Sequence, residues 1–247
     1  MNNILCVKNL TKKYHTNKKE ILSVDNFSMT LKEGEFIGIV GPSGCGKSTI
    51  LSILSGLEES TSGKIELGDN KIGYMLQTDA LFDWLTILDN CLIGLKIQGD
   101  LTKNKINYVM NLLDKYGLKE FINSYPNHLS GGMRQRVALI RTLAIKPDIL
   151  LMDEPYSALD YQTRLAISDD VFKILKEENK SMVMVTHDIA EAISMCDRVI
   201  VLSKRPCTIK KIFNLELTDK STPIENRKTK EFADYYDKIW KEIDYEL

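Results

Sequence analysis

Residues 35–56 hold the feature that most constrains the fold. Glu35–Val40 is a short apolar run of strand type, Gly41-Pro42-Ser43-Gly44-Cys45-Gly46 follows it, and Lys47–Gly56 spaces Ile50, Leu51, Ile53 and Leu54 at helical intervals. Strand, glycine loop and helix in this order match G-x-x-x-x-G-K-[ST] in full. The glycines let successive N–H groups turn toward one point, and the helix N-terminus adds its positive end, which together make a nest for phosphate oxygens. Lys47 is then placed to reach the β- and γ-phosphates, Ser48 to coordinate Mg²⁺ and Thr49 to lie beside the α-phosphate. Residues 41–49 are therefore expected to bind a nucleoside triphosphate.

A second run supports this. Ile149-Leu-Leu-Met-Asp153-Glu154-Pro155 is an apolar strand ending in two carboxylates. Such an end can set Asp153 beside the metal and leave Glu154 close enough to polarise a water aimed at the γ-phosphate. Around these two runs, Ile4–Val7 and Ile21–Leu31 read as strands of a meander. Asp148–Met152 and Ser181–Thr186 read as strands buried in a parallel sheet. Helices are expected near Tyr161–Asn179 and Asp188–Met195, and strand patterning returns at Val199–Leu202 and Thr208–Leu217. Between them Leu88–Ile97, Lys103–Tyr116 and Gly132–Ile145 form a mostly helical insertion. The tail, Thr229–Tyr245, carries Phe232, Tyr235, Tyr236, Ile239, Trp240 and Ile243 at helical spacing and is expected to pack this stripe on its own domain.

Composition excludes several classes. With 33 basic and 34 acidic residues the formal charge is −1, which gives no electrostatic reason to expect a nucleic-acid partner. The five cysteines are scattered without C-x-x-C spacing, as expected for free thiols in a reducing compartment. The first residues lack the apolar stretch of a signal peptide, and the apolar runs fall well short of the roughly 18 residues a membrane span needs. Any pore would have to come from another chain.

Leu129-Ser130-Gly131-Gly132-Met133-Arg134-Gln135-Arg136 offers a second anion site, a Ser-Gly-Gly opening a helix. One nucleotide does not need two such sites from one chain, but two chains set head to tail would use both. This segment resembles the signature motif of the ABC transporter ATPases. The resemblance runs over nearly the whole chain and implies an α/β P-loop NTPase fold: a RecA-like core with an antiparallel β subdomain (residues 1–80 and 146–217), a helical subdomain with the signature motif (81–145) and a C-terminal amphipathic tail (218–247). It implies that Tyr14 stacks on adenine and that Gln77 touches Mg²⁺ and senses the membrane partner. Ser157-Ala158-Leu159-Asp160 would contact the opposite subunit beside its nucleotide, and His187 would hold the γ-phosphate and the attacking water.

Phe82-Asp-Trp84-Leu-Thr86-Ile-Leu-Asp-Asn90 is similar to importer ATPases of the nitrate, sulfonate and taurine group, as are Ser203-Lys-Arg-Pro206 and the aromatic tail. Residues 63–77 form a shorter segment than that group implies, and Met75-Leu76-Gln77 stands for the usual Phe-Gln. The group implies ATP and Mg²⁺ as cofactors, a head-to-tail homodimer, integral membrane permease subunits and, indirectly, an extracytoplasmic solute-binding protein. The place of work would be the cytoplasmic face of the cell membrane. Import of thiamine pyrimidine precursors, export, or a soluble non-transport ATPase are the alternatives.

Overall fold

The computed structural model describes residues 2–15, 19–157, 159–218 and 220–243. Two long strands, β1 (Asn3–His15) and β2 (Glu20–Lys32), pair antiparallel. They are followed by β3 (Phe36–Val40), helix α1 (Lys47–Leu54) and β4 (Ser62–Glu66), which joins the free edge of β1. The meander expected from Ile4–Val7 and Ile21–Leu31 is thus longer than its apolar residues suggest. Its third strand leaves no apolar pattern in the sequence, because β4 has only Ile65 as an apolar residue and is largely exposed. Gly63 sets the approach of β4 to β1. Its φ is 102°, and a Cβ there would lie 2.6 Å from the Asn9 carbonyl oxygen.

The main sheet adds β5 (Ile72–Met75), β6 (Ile149–Asp153), β7 (Ser181–Val185), β8 (Arg198–Leu202) and β9 (Ile209–Asn214), in the order β5-β6-β7-β3-β8-β9. All neighbours are parallel except β8 and β9. Strands β3, β6 and β7 are buried along their whole length, as continuous apolar runs in a sheet covered on both faces must be. Successive residues serve opposite faces. Ile149 and Leu151 join Ile37, Ile39 and the apolar residues of β1, β2 and α1, whereas Leu150 and Met152 face the helices.

That helical layer contains α2 (Ile87–Ile97), α3 (Lys103–Lys115), α4 (Gly131–Ala144) and α5 (Tyr161–Glu177). Thr86, Thr102, Ser130 and Asp160 cap their N-termini by accepting a backbone N–H three residues on, which satisfies donors that a helix start leaves orphaned. Beyond β7, α6 (Ile189–Met195) leads into β8, and a short α7 (Pro223–Asn226) precedes α8 (Lys230–Glu242). In the tail, Ile239 and Ile243 are buried with Val40, Ile189, Ile193 and Phe213, and Phe232, Tyr235 and Tyr236 pack against them, so that part of the stripe lies on its own domain as expected. Trp240, by contrast, is 49% exposed and stacks on Tyr236. Tyr245 lies outside the described residues. No helix among them is long and apolar enough to cross a membrane.

Candidate active site

Parallel strands β3, β6, β7 and β8 all point their carboxyl ends the same way, and each sends a candidate group over that edge. From β3 the chain runs into the glycine loop. Gly44 (φ 70°) and Gly46 (φ 134°) take backbone angles closed to most side chains. A Cβ on Gly46 would meet the Ser23 carbonyl at 3.2 Å and Cys207 Sγ at 3.3 Å, so the loop is cupped between β2 and the segment after β8. Helix α1 starts with no side-chain cap and no acidic residue in its first turn, which leaves its N–H groups for an anion. Lys47 is buried, and its Nζ donates to the carbonyls of Gly41 (2.8 Å) and Pro42 (3.0 Å).

From β6 come the two carboxylates. Asp153 Oδ1 accepts from Ser48 Oγ at 3.1 Å, and its Oδ2 accepts from the Tyr74 hydroxyl at 3.3 Å. Burial raises the Asp153 carboxyl above its ordinary value, Ser48 opposes that, and the neighbouring Glu154 adds to it. Glu154 sits at φ 43°, a left-handed conformation unfavourable for a side chain, and its N–H donates to Val185 O at 2.8 Å. From β7, His187 brings Nδ1 to 3.1 Å from Glu154 Oε2. The same oxygen accepts from Gln77 Nε2 at 3.4 Å.

A cavity of about 210 Å³ is lined by residues 43–44 and 46–49 with Glu154 and Arg205. The structure therefore brings together Gly41–Thr49, Asp153, Glu154, His187 and Gln77. Tyr14 stands at its border: its hydroxyl donates to Glu58 at 2.9 Å and lies 3.5 Å from Thr49 Oγ1, while Lys12 covers its ring. Ser130, Gly131, Gly132 and Asp160 do not line this cavity. Ser130 caps α4, and Asp160 caps α5 through Thr163 N at 3.0 Å; the Thr163 hydroxyl first and that N–H second hold its carboxyl below the ordinary value. Ala158 of the same segment lies outside the described residues.

Two connections tie these elements together. Arg134 in α4 forks onto Asp79, just past Gln77, at 2.8 and 3.0 Å. Arg164 in α5 spans Leu159 O (3.2 Å) and Asp188 (3.1 Å), beside His187. Reading the sequence assigned no chemistry to Tyr74 or Arg205. Tyr74 carries no motif. Arg205 belongs to a segment noted for likeness alone, and only the adjacency of β3 and β8 puts it at the loop.

A triphosphate loop, a strand ending in Asp-Glu and a histidine on the next strand define a P-loop nucleoside triphosphatase, here with a RecA-like core, an antiparallel β subdomain and a helical subdomain. Residues 24–157 match the ABC transporter family. An uncharacterized ABC transporter ATP-binding protein of Bacillus subtilis, YtlC, is 44% identical over 97% of this chain and 95% of its own length. The nitrate import ATP-binding protein NrtD of Synechocystis is 40% identical (89% and 87% covered), and the taurine import ATP-binding protein TauB of Ruegeria pomeroyi is 36% identical (94% and 89%). Among solved structures, the ATP-binding cassette MJ0796, a dimer in a post-hydrolysis state bound to ADP and Pi, superposes with a TM-score of 0.73 at 34% identity, covering 86% of this chain and 99% of the cassette. The chain belongs to the ABC transporter family and is its ATP-binding, ATP-hydrolysing subunit, related to the nitrate and taurine importer group.

Proposed function

We propose that this subunit energises import of a small anion, of the nitrate or sulfonate type, through separate membrane-spanning permease chains. The observation that carries the catalytic part is the meeting of Glu154 and His187 at 3.1 Å beside the phosphate loop. On this reading Lys47 and the loop amides hold the phosphates and Tyr14 borders the base. Glu154 accepts a proton from the attacking water, and His187 holds the γ-phosphate and that water. Ser48 Oγ and Asp153 Oδ1 supply the oxygen donors that a hard divalent cation prefers, with Gln77 as a third candidate. Its amide nitrogen is occupied by Glu154, so a metal would take the amide oxygen. Mg²⁺ is bound through one or two protein oxygens plus water and substrate phosphate, so these few donors are enough for it. When bound, Mg²⁺ neutralises charge developing on the phosphates.

Ser130–Gly132 would complete the site of a second copy in a head-to-tail dimer, with Asp160 near that contact. In the segment that follows β5 beside Gln77, Leu76 is 42% and Trp84 74% exposed, the latter paired with the Phe82 ring at 5.2 Å. Large apolar groups left in water there suit a docked permease segment, at the cytoplasmic face of the membrane. The likeness to nitrate and taurine import proteins supports the choice of solute, which an extracytoplasmic binding protein would deliver.

The test is to tag the chain, extract membranes in mild detergent and identify what co-purifies. A multi-span permease is the expected result; ribosomes or chromosome proteins in its place would overturn transport. Reconstituted with that permease and its binding protein, ATP hydrolysis should rise with nitrate or a sulfonate. Stimulation by neutral solutes alone would remove the anion assignment.

A further inference from the structure

The segment after β8 is pinned on two sides. Ser203 N donates to Thr208 O at 3.0 Å, and Ser203 Oγ accepts from Thr208 N at 2.9 Å. Buried Cys207 ties the same turn to β2 through Cys207 N to Ser23 O (2.9 Å) and Asp25 N to Cys207 O (3.0 Å). A turn held this firmly presents Arg205 at a defined place. That place is the glycine loop: Arg205 Nη2 donates to the Gly44 carbonyl at 2.7 Å, and the residue lines the same cavity as Lys47, Ser48 and Glu154.

Lys47 rests in the same manner, its Nζ on the carbonyls of Gly41 and Pro42. Two cations, one from the start of α1 and one from the turn after β8, are thus parked on carbonyls of one loop that is shaped for anions. A neutral carbonyl uses one of the five N–H donors of a guanidinium and leaves its charge uncompensated, whereas phosphate oxygens bring a compensating negative charge and can accept two parallel N–H bonds from the planar fork.

We infer that Arg205 is a nucleotide-binding residue, a second phosphate-contacting cation that exchanges the Gly44 carbonyl for the phosphate chain of ATP or ADP. This rests on reading residues 41–49 as the phosphate site. In the bound state Lys47 would hold the chain from within the loop and Arg205 from the β8 side, so the residue belongs to binding and not to the attack on the γ-phosphate.

The experiment titrates ATP and ADP against Arg205→Ala, Arg205→Gln and Arg205→Lys, with melting temperature read on the nucleotide-free proteins. Arg205→Ala and Arg205→Gln should each weaken both nucleotides by about tenfold, the loss of one charge-assisted contact, while Arg205→Lys stays within about threefold. Glutamine can still donate to the Gly44 carbonyl, so full recovery in Arg205→Gln would mean that the residue only props the loop. Unchanged affinity in Arg205→Ala would likewise overturn the inference. Lys47→Ala serves as the control. Loss of binding there with none in Arg205→Ala leaves the phosphate loop standing and removes Arg205 alone, whereas parental affinity in Lys47→Ala removes the loop reading itself.

Discussion

Glu154 Oε2 is shared between two side chains from different parts of the chain, Gln77 Nε2, which donates at 3.4 Å, and His187 Nδ1 at 3.1 Å. A carboxylate held this way is positioned to take a proton from water, and positioned proton transfer contributes about 10²–10⁴ in rate. Glu154→Gln is therefore expected to lower ATP turnover by that order while ATP still binds, measured as phosphate release beside nucleotide titration. Turnover at the parental rate would remove Glu154 from the chemistry. Close by, Glu191 is 3% exposed, and burial pushes its carboxyl up from 4.5 to about 7. A hydrogen bond with Thr186 opposes the rise and Asp188 adds to it, while Arg164 and Arg227 pull the other way. An acid whose pKa is raised by folding contributes stability below its unfolded value and loses that contribution as pH rises through its folded one. Glu191→Gln does not ionise, so its melting temperature relative to the parent should climb between pH 5 and 8. A constant difference across that range would show that Glu191 does not titrate there.

Among the elements, β4 makes the sharpest demand on a single residue. Gly63 combines φ 102° with an approach to the Asn9 carbonyl that a Cβ would bring to 2.6 Å. Gly63→Ala should cost about 1–3 kcal/mol, a drop in melting temperature of roughly 3–10 °C, with ATP affinity little changed. An unaltered melting point would mean that β4 yields freely. Helix α8 makes a broader demand, since Ile239 and Ile243 close the cluster over Val40 and α6. Removing residues 229–247 should lower the melting temperature, and an unchanged one would say that the tail packs on nothing essential. These two elements also mark what could be read in advance. Strands β3, β6 and β7 were legible because a fully buried strand must be apolar throughout, and α8 because its stripe repeats at helical intervals. Strand β4 was not, since an exposed edge with one isoleucine is held by backbone pairing that leaves no mark in side-chain pattern. The site divides the same way. Gly41–Thr49 is contiguous and carries its chemistry in its spacing, whereas Tyr74 meets Asp153, and Arg205 meets Gly44, only because of which strands the sheet makes neighbours.

At the scale of the whole molecule, the helical layer is coupled to the catalytic edge by two arginines. Arg134 joins α4 to the segment after Gln77, and Arg164 joins the start of α5 to the residue after His187. These short polar links run from helices α4 and α5 to the segments that carry Gln77 and His187, whose side chains both meet Glu154.

Ser130–Gly132 caps a helix outside the cavity that residues 43–49 line. In a head-to-tail pair each chain is then a donor of one half and a recipient of the other, and damage to the halves is separable. On that arrangement Lys47→Ala would spoil only the half a chain keeps, and Gly131→Asp, a carboxylate set at the α4 N-terminus, would spoil only the half it lends. Mixed one to one, about half the pairs in a freely exchanging symmetric dimer carry one of each. In such a pair one site inherits both lesions and the other none, so two inactive preparations should regain ATP hydrolysis on mixing. A mixture as inert as its components would argue that the chains do not share their sites.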